Sequence, residues 1–384
     1  MYTPARLLHP RRAVLAAVLA TAFAVSACTG SSGNAGPTSS ATSSASSSAA
    51  ATSALPAAVR GISAARCAQN KAAGKITFLS PFQYAASVGI LDVVAAQQQG
   101  YFKALCLNVV IKPGGVNATL VSSGQAQLGG VGGPSDAITA AANGAKIEGI
   151  ATYGNTSAIE LLTLANSGIN TLADFQGKTL GYKGAMPPVL KAMFAKAGVS
   201  NSKIKEISVG YDPTILPKGQ VKALVAYKSN EQLALQRMGV KLKIWDPEKY
   251  GLPSAFNTQI ANTAFATAHP TAVQDFLRGS YAGFAYTDAH LATVLAYAAK
   301  LTGGGNYDIA ASTLRWRAES SLVRTTLLTG HGLGWQTTAQ WKPELGYLEQ
   351  FKLIAKAVDL TPLVNNSYNA AIYNGATLKP VSAS

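Results

Sequence analysis

From Lys75 onward, short apolar runs alternate with helical stretches, and this alternation restricts the chain to layered α/β architectures. Lys75-Ile76-Thr77-Phe78-Leu79 reads as a strand. The loop 81–84 precedes a helix that Ser87 is placed to cap and Gly100 to close. Residues 108–111 and 127–131 read as further strands. Gly132-Gly133-Pro134-Ser135-Asp136 then opens a helix that runs to Gly144, and residues 147–153 and 159–164 complete a first series. A second series begins at Lys178, with a helix at 187–197 and strands near 204–209, 223–226 and 241–245. Gly251-Leu252-Pro253 breaks the pattern, residues 257–261 look like a returning strand, and Pro270 opens a mainly helical tail.

This order implies two doubly wound lobes joined by two crossover segments, with a helical C-terminal tail. The expected boundaries are a first lobe over 75–177, a second over 178–252, and a return to the first lobe over 253–384. Two crossings make a hinged cleft. No repeat of fixed period is present, which excludes solenoids and propellers.

The N-terminus carries Arg6, Arg11 and Arg12, then an apolar stretch at 13–25, then Val25-Ser26-Ala27-Cys28. That stretch is shorter than the ~20 apolar residues that span a bilayer, so it reads as a secretory signal over 1–27. It resembles a bacterial lipoprotein signal, which implies cleavage before Cys28 and lipidation of that thiol; an ordinary signal peptide is the alternative. The Ser/Ala/Thr-rich stretch that follows lacks core-forming residues, so 28–74 is expected to be a tether and entry segment.

The net charge is +15, yet Lys71, Lys75, Lys103, Lys112, Lys146, Lys178 and Lys183 are scattered singly. Nucleic-acid binders cluster their basic residues, so no nucleic-acid partner is expected. Two cysteines remain after Cys28, and an exported Cys67 and Cys106 are expected either to pair or to stay as free thiols. The four His are not at metal-ligand spacing, so neither a metal nor a cofactor is expected.

Several motifs together resemble the nitrate/sulfonate/thiamine-pyrimidine-precursor branch of bacterial ABC-transporter solute-binding proteins. They are Gln99-Gly100-Tyr101-Phe102; Cys106-Leu107-Asn108-Val109, where Cys106 replaces the family's Gly; Asp174-Phe175-Gln176-Gly177-Lys178-Thr179; Gly219-Gln220-Val221-Lys222-Ala223; Ser229-Asn230-Glu231-Gln232-Leu233; Tyr250-Gly251-Leu252-Pro253; and Asn365-Asn366-Ser367-Tyr368. The resemblance implies a periplasmic-binding-protein-like fold of type II and a monomer. It further implies an extracytoplasmic lipoprotein that closes on a small solute and delivers it to an ABC permease. A ligand sensor docking on a membrane partner is the alternative.

In such a fold, ligands sit beyond the carboxyl ends of the strands. That rule selects Phe82, Tyr84, Ser135, Asp136, Tyr153 and Asn155 from the first lobe, and Tyr182, Lys183, Tyr211, Asp212, Tyr227, Asn230 and Glu231 from the second. Tyrosines from both lobes could stack on a flat heterocycle such as a thiamine pyrimidine or riboflavin, with Glu231 accepting hydrogen bonds. A sulfonate or nitrate would instead use an oxyanion cradle at Gly132, Gly133 and Ser135 with Lys183. Glu231→Ala is expected to weaken binding and leave ligand-free stability nearly unchanged. No nucleophile turn and few carboxylate pairs are present, and the fungal pyrimidine-forming enzyme of the family uses a Cys-rich site absent here, so the chain is expected not to be an enzyme.

Overall fold

The computed structural model describes residues 55–303 and 307–383. The signal-like segment, Cys28 and nearly all of the Ser/Ala-rich stretch therefore lie outside the described residues. Ten strands build two five-stranded sheets. They are β1 (Lys75–Ser80), β2 (Asn108–Pro113), β3 (Leu128–Val131), β4 (Ile147–Gly154), β5 (Ile159–Leu164), β6 (Thr179–Tyr182), β7 (Lys205–Ser208), β8 (Ala223–Tyr227), β9 (Leu242–Trp245) and β10 (Phe256–Asn262). The first sheet has the order β2-β1-β3-β10-β4 and the second β7-β6-β8-β5-β9. This is the two-lobed arrangement expected from the alternation, with a two-stranded hairpin at Tyr373–Asn374 and Thr377–Leu378 near the end.

One boundary differs. β5 pairs antiparallel with β8 and β9, so it belongs to the second sheet. The chain therefore first crosses at residues 155–158, not near Gly177, and it crosses back between Trp245 and Phe256. β4 is buried on both faces, so no alternation in its sequence signals that the strand after it changes sheets. The crossings are tied to each other. Glu248 accepts from the Thr156 hydroxyl at 2.9 Å and the Ser157 amide at 2.8 Å, while Lys228 pairs with Asp246 at 2.9 Å and Glu248 at 3.6 Å.

The core of the first lobe forms around the helix Pro270–Ala289, whose inward stripe includes Val273, Phe276, Leu277 and Tyr281. Gly283 is needed there: a β-carbon on it would lie 2.1 Å from the Asp92 carbonyl of the helix Leu91–Gln98. A second core cluster joins Leu79 and Val131 of the first sheet to Leu161, Phe175 and Leu180 around Trp341. Among the described residues, no helix is long and apolar enough to cross a membrane.

Cys67, on the helix Ala64–Ala72, is bonded to Cys106. Cys106 adopts φ 59°, the left-handed region that favours glycine. That explains the Gly at this point of the motif it departs from. The same helix is held by Arg66, which pairs with buried Asp275 at 2.7 Å.

Candidate functional site

A cavity of about 670 Å³ opens between the two sheets. Its walls are loops that leave strands at their carboxyl ends. Phe82, Tyr84 and Ser87 follow β1; Val116 and Asn117 follow β2; Gly132 and Asp136 follow β3. Lys183 follows β6, and Tyr227, Asn230 and Glu231 end β8 and start the next helix. Exposed Tyr211 also lines it. The tail contributes Tyr307 and, from the helix Ile309–Thr325, Arg315 and Glu319.

Several of the residues selected from the sequence therefore meet here. Phe82 and Tyr227 are in edge-to-face contact, with ring centroids 5.6 Å apart. The Tyr84 carbonyl accepts from the Tyr307 hydroxyl at 3.1 Å. Glu231 forms an ion pair with Lys183, and it accepts from the Tyr227 amide at 2.8 Å and the Asn230 side chain at 2.6 Å.

Five others are placed elsewhere. Ser135 faces the helix Thr338–Gln350, where Glu344 takes its amide at 2.9 Å and its hydroxyl, and Tyr347 lies at 2.6 Å. Tyr153 points into the first-lobe core, donating to Asp92 at 2.6 Å and accepting from Gln259 at 3.1 Å. Asn155 is used by the first crossing, where its side chain donates to the Thr326 carbonyl at 2.7 Å. Tyr182 packs against the second core cluster. Asp212 is exposed, and its carboxylate accepts from the Thr214 amide at 2.9 Å at the start of the turn Pro213–Ile215.

The electrostatics are dominated by buried acids. Burial pushes the Asp136 carboxyl up to about 6, and the amides of Gly133 and Gly132 offset part of that rise. Gly132 leaves room for this, since a β-carbon there would lie 2.7 Å from the carboxylate. Among the described residues, no side chain forms a hydrogen bond or ion pair with Asp136. Glu319 is raised by burial and held by the Ser87 hydroxyl, the Ser229 hydroxyl at 3.1 Å, the Asn257 side chain at 2.5 Å and the Val88 amide at 3.2 Å. Burial, then the charges of Asp136, Glu319 and Glu231, lift the Tyr227 phenol well above its ordinary value. Its hydroxyl is buried without a hydrogen-bond partner.

Sequence reasoning missed Tyr307, Arg315, Glu319, Asn117 and the true place of Ser87. Ser87 does not cap the following helix, whose N-cap is Ile90; it binds Glu319 instead. The one available signal was the four-residue spacing of Arg315 and Glu319 beside Trp316, which puts two charges on the helix face next to an apolar anchor. Among the described residues, no group of three or more His, Cys, Asp or Glu is placed to hold a metal.

The comparisons bear on this geometry. The alkanesulfonate-binding protein SsuA from Xanthomonas axonopodis pv. citri bound to MOPS superposes with a TM-score of 0.55 at 17% identity, covering 76% of this chain and 98% of that one. The periplasmic aliphatic sulphonate binding protein SsuA from Escherichia coli gives 0.55 at 17%, covering 76% and 92%. Both establish the periplasmic-binding-protein fold. A Schizosaccharomyces pombe protein named 4-amino-5-hydroxymethyl-2-methylpyrimidine phosphate synthase is 28% identical over 223 residues, which are 53% of this chain and 63% of that protein. The expectation that the chain is not an enzyme is corrected by this relative, which is named as a synthase. The family model described as NMT1/THI5 like matches residues 88–291, more than half of the sequence. The chain belongs to the NMT1/THI5-like family.

Proposed function

We propose that the chain is the solute-binding component of an ABC importer. It takes a small planar nitrogen heterocycle of the aminopyrimidine class in the interlobe cleft and hands it to a membrane permease. The observation that carries this reading is the occupancy of the helix start after β3. An oxyanion would need the amides of Gly132, Gly133 and Ser135. Those of Gly132 and Gly133 already act on the Asp136 carboxylate, and that of Ser135 donates to Glu344. A sulfonate placed there would meet two acids. A ring carrying N–H donors would meet an acceptor, beside the aromatic pair Phe82 and Tyr227 at the cavity wall. We place the anchor at Cys28, whose lipidation would hold the protein at the outer face of the membrane.

The experiment is calorimetry and native mass spectrometry of the soluble chain with 4-amino-5-hydroxymethyl-2-methylpyrimidine, riboflavin, taurine and nitrate. Binding of a heterocycle that is lost in Asp136→Asn supports the reading. Tight binding of taurine or nitrate, undiminished in that variant, overturns it in favour of an anion held by Lys183 and Arg315. Recovery of a chemically altered pyrimidine would place the chain with the synthases.

A further inference from the structure

The tail helix Ile309–Thr325 is fixed to the first lobe by Trp316, which is fully buried against Phe284 with ring centroids 5.3 Å apart. The Trp316 indole N–H donates to Asp288 at 2.8 Å. From that anchored helix, Arg315 and Glu319, one turn apart, both reach the turn between β8 and the helix Glu231–Arg237 of the second lobe. Arg315 donates to the Asn230 side-chain oxygen, and the Asn230 nitrogen donates to Glu231 at 2.6 Å. Glu319 accepts from Ser229 of the second lobe with one oxygen. With the other it accepts from Ser87, Val88 and Asn257 of the first. The two side chains thus bond both lobes at the wall of the cavity, and the Arg315 Nε is buried with no partner.

We infer that Arg315 and Glu319 form a clasp that holds the second lobe shut over the ligand, and that Arg315, acting through Asn230, fixes the orientation of Glu231 toward the cavity. This rests on the solute-binding reading above. Both are positioning residues. The contacts form only when the lobes are together, so they act on escape from the closed state more than on entry into the open one. Arg315 donates to the Asn230 side-chain oxygen while the nitrogen of the same amide donates to Glu231, so the relay fails if either link is cut.

The test combines stopped-flow kinetics with 4-amino-5-hydroxymethyl-2-methylpyrimidine and distance measurements between spin labels at exposed Lys112 and Lys222, one in each lobe. Arg315→Ala should raise the dissociation rate by about 10- to 100-fold and change the association rate by less than about threefold. Asn230→Ala should do the same, and the double variant should be no worse than either single one. Arg315→Lys should recover part of the loss. In the ligand-free protein, the label distance should lengthen or broaden in Arg315→Ala and Glu319→Gln at temperatures where both variants remain folded. Unaltered dissociation, additive effects of the two alanines, or a label distance identical to that of the parent would overturn the clasp. Failure of the parent protein to bind the pyrimidine would refute the solute assignment instead, while the ligand-free distances would still decide the clasp.

Discussion

Phe82, from the loop after β1, meets the edge of Tyr227, at the end of β8, so an aromatic pair closes one side of the cleft from opposite lobes. The pair is worth about 0.5–1.5 kcal/mol beyond the area it buries, and the same rings border the cavity in which a heterocycle would sit. Phe82→Ala should weaken pyrimidine binding about tenfold by calorimetry, with Phe82→Tyr close to the parent. Equal affinity in the alanine variant would show that the ring is not used.

Asp136 sets a pH dependence. A ligand that donates a hydrogen bond or carries positive charge favours the ionised carboxylate, so binding drives off its proton near pH 6. Apparent affinity should therefore rise from pH 5 to pH 7, with proton release visible as a dependence of the binding heat on buffer ionisation. Any residual binding that survives in Asp136→Asn should show no such slope.

Ligand-free stability should run the other way. Burial raises Asp136 to about 6, Asp92 and Glu344 to about 7 and Glu160 to about 8. A folded-state pKa above the ordinary carboxyl value means the folded protein holds the proton more tightly. The stabilisation is complete below about pH 4 and is lost as pH rises through 6 to 8. For Asp136 alone the shift corresponds to at most about 3 kcal/mol. The melting temperature of the ligand-free protein should fall between pH 5 and 8.5, less steeply in Asp136→Asn; a rise would contradict the assignment of these acids.

Glu231→Ala should lower the stability of the empty protein, where the sequence alone led to the expectation of little change. It strands the Lys183 ammonium and the Tyr227 amide inside the cavity wall. Loss of these partners costs about 1–3 kcal/mol, readable as a lower denaturation midpoint without ligand, and Glu231→Gln should recover part of it.

Cutting the Cys67–Cys106 bond releases a loop of sequence separation 39. Chain-entropy arguments put this near 4 kcal/mol, so Cys67→Ser should lower the denaturation midpoint markedly. In that background Cys106→Gly should be better tolerated than Cys106→Ala, because the position is left-handed. Equal effects of the two would remove the backbone argument.

Strands such as β1 and β2 were legible because they are short runs of apolar or β-branched residues bounded by Gly, Pro or Asn, and the loops of the cavity followed from the rule that ligands sit beyond strand carboxyl ends. Side-chain direction was not legible. Tyr153 and Tyr182 end strands much as Tyr227 does, yet Tyr153 turns into a core and Tyr182 packs against one; in β4, buried throughout, no polar alternation tells inward from cleftward, and β6 is only four residues long. Arg315 and Glu319 lie 85 and 90 residues beyond the residues they hold, on a helix that reads as an ordinary charged face. Only the folded tail brings them to the site.

Glu248 bonds the first crossing from within the second, so neither connecting ribbon can bend without carrying the other. The two crossings are thereby tied as one joint rather than left as two independent strings, and a substitution at Glu248 reaches both of them at once.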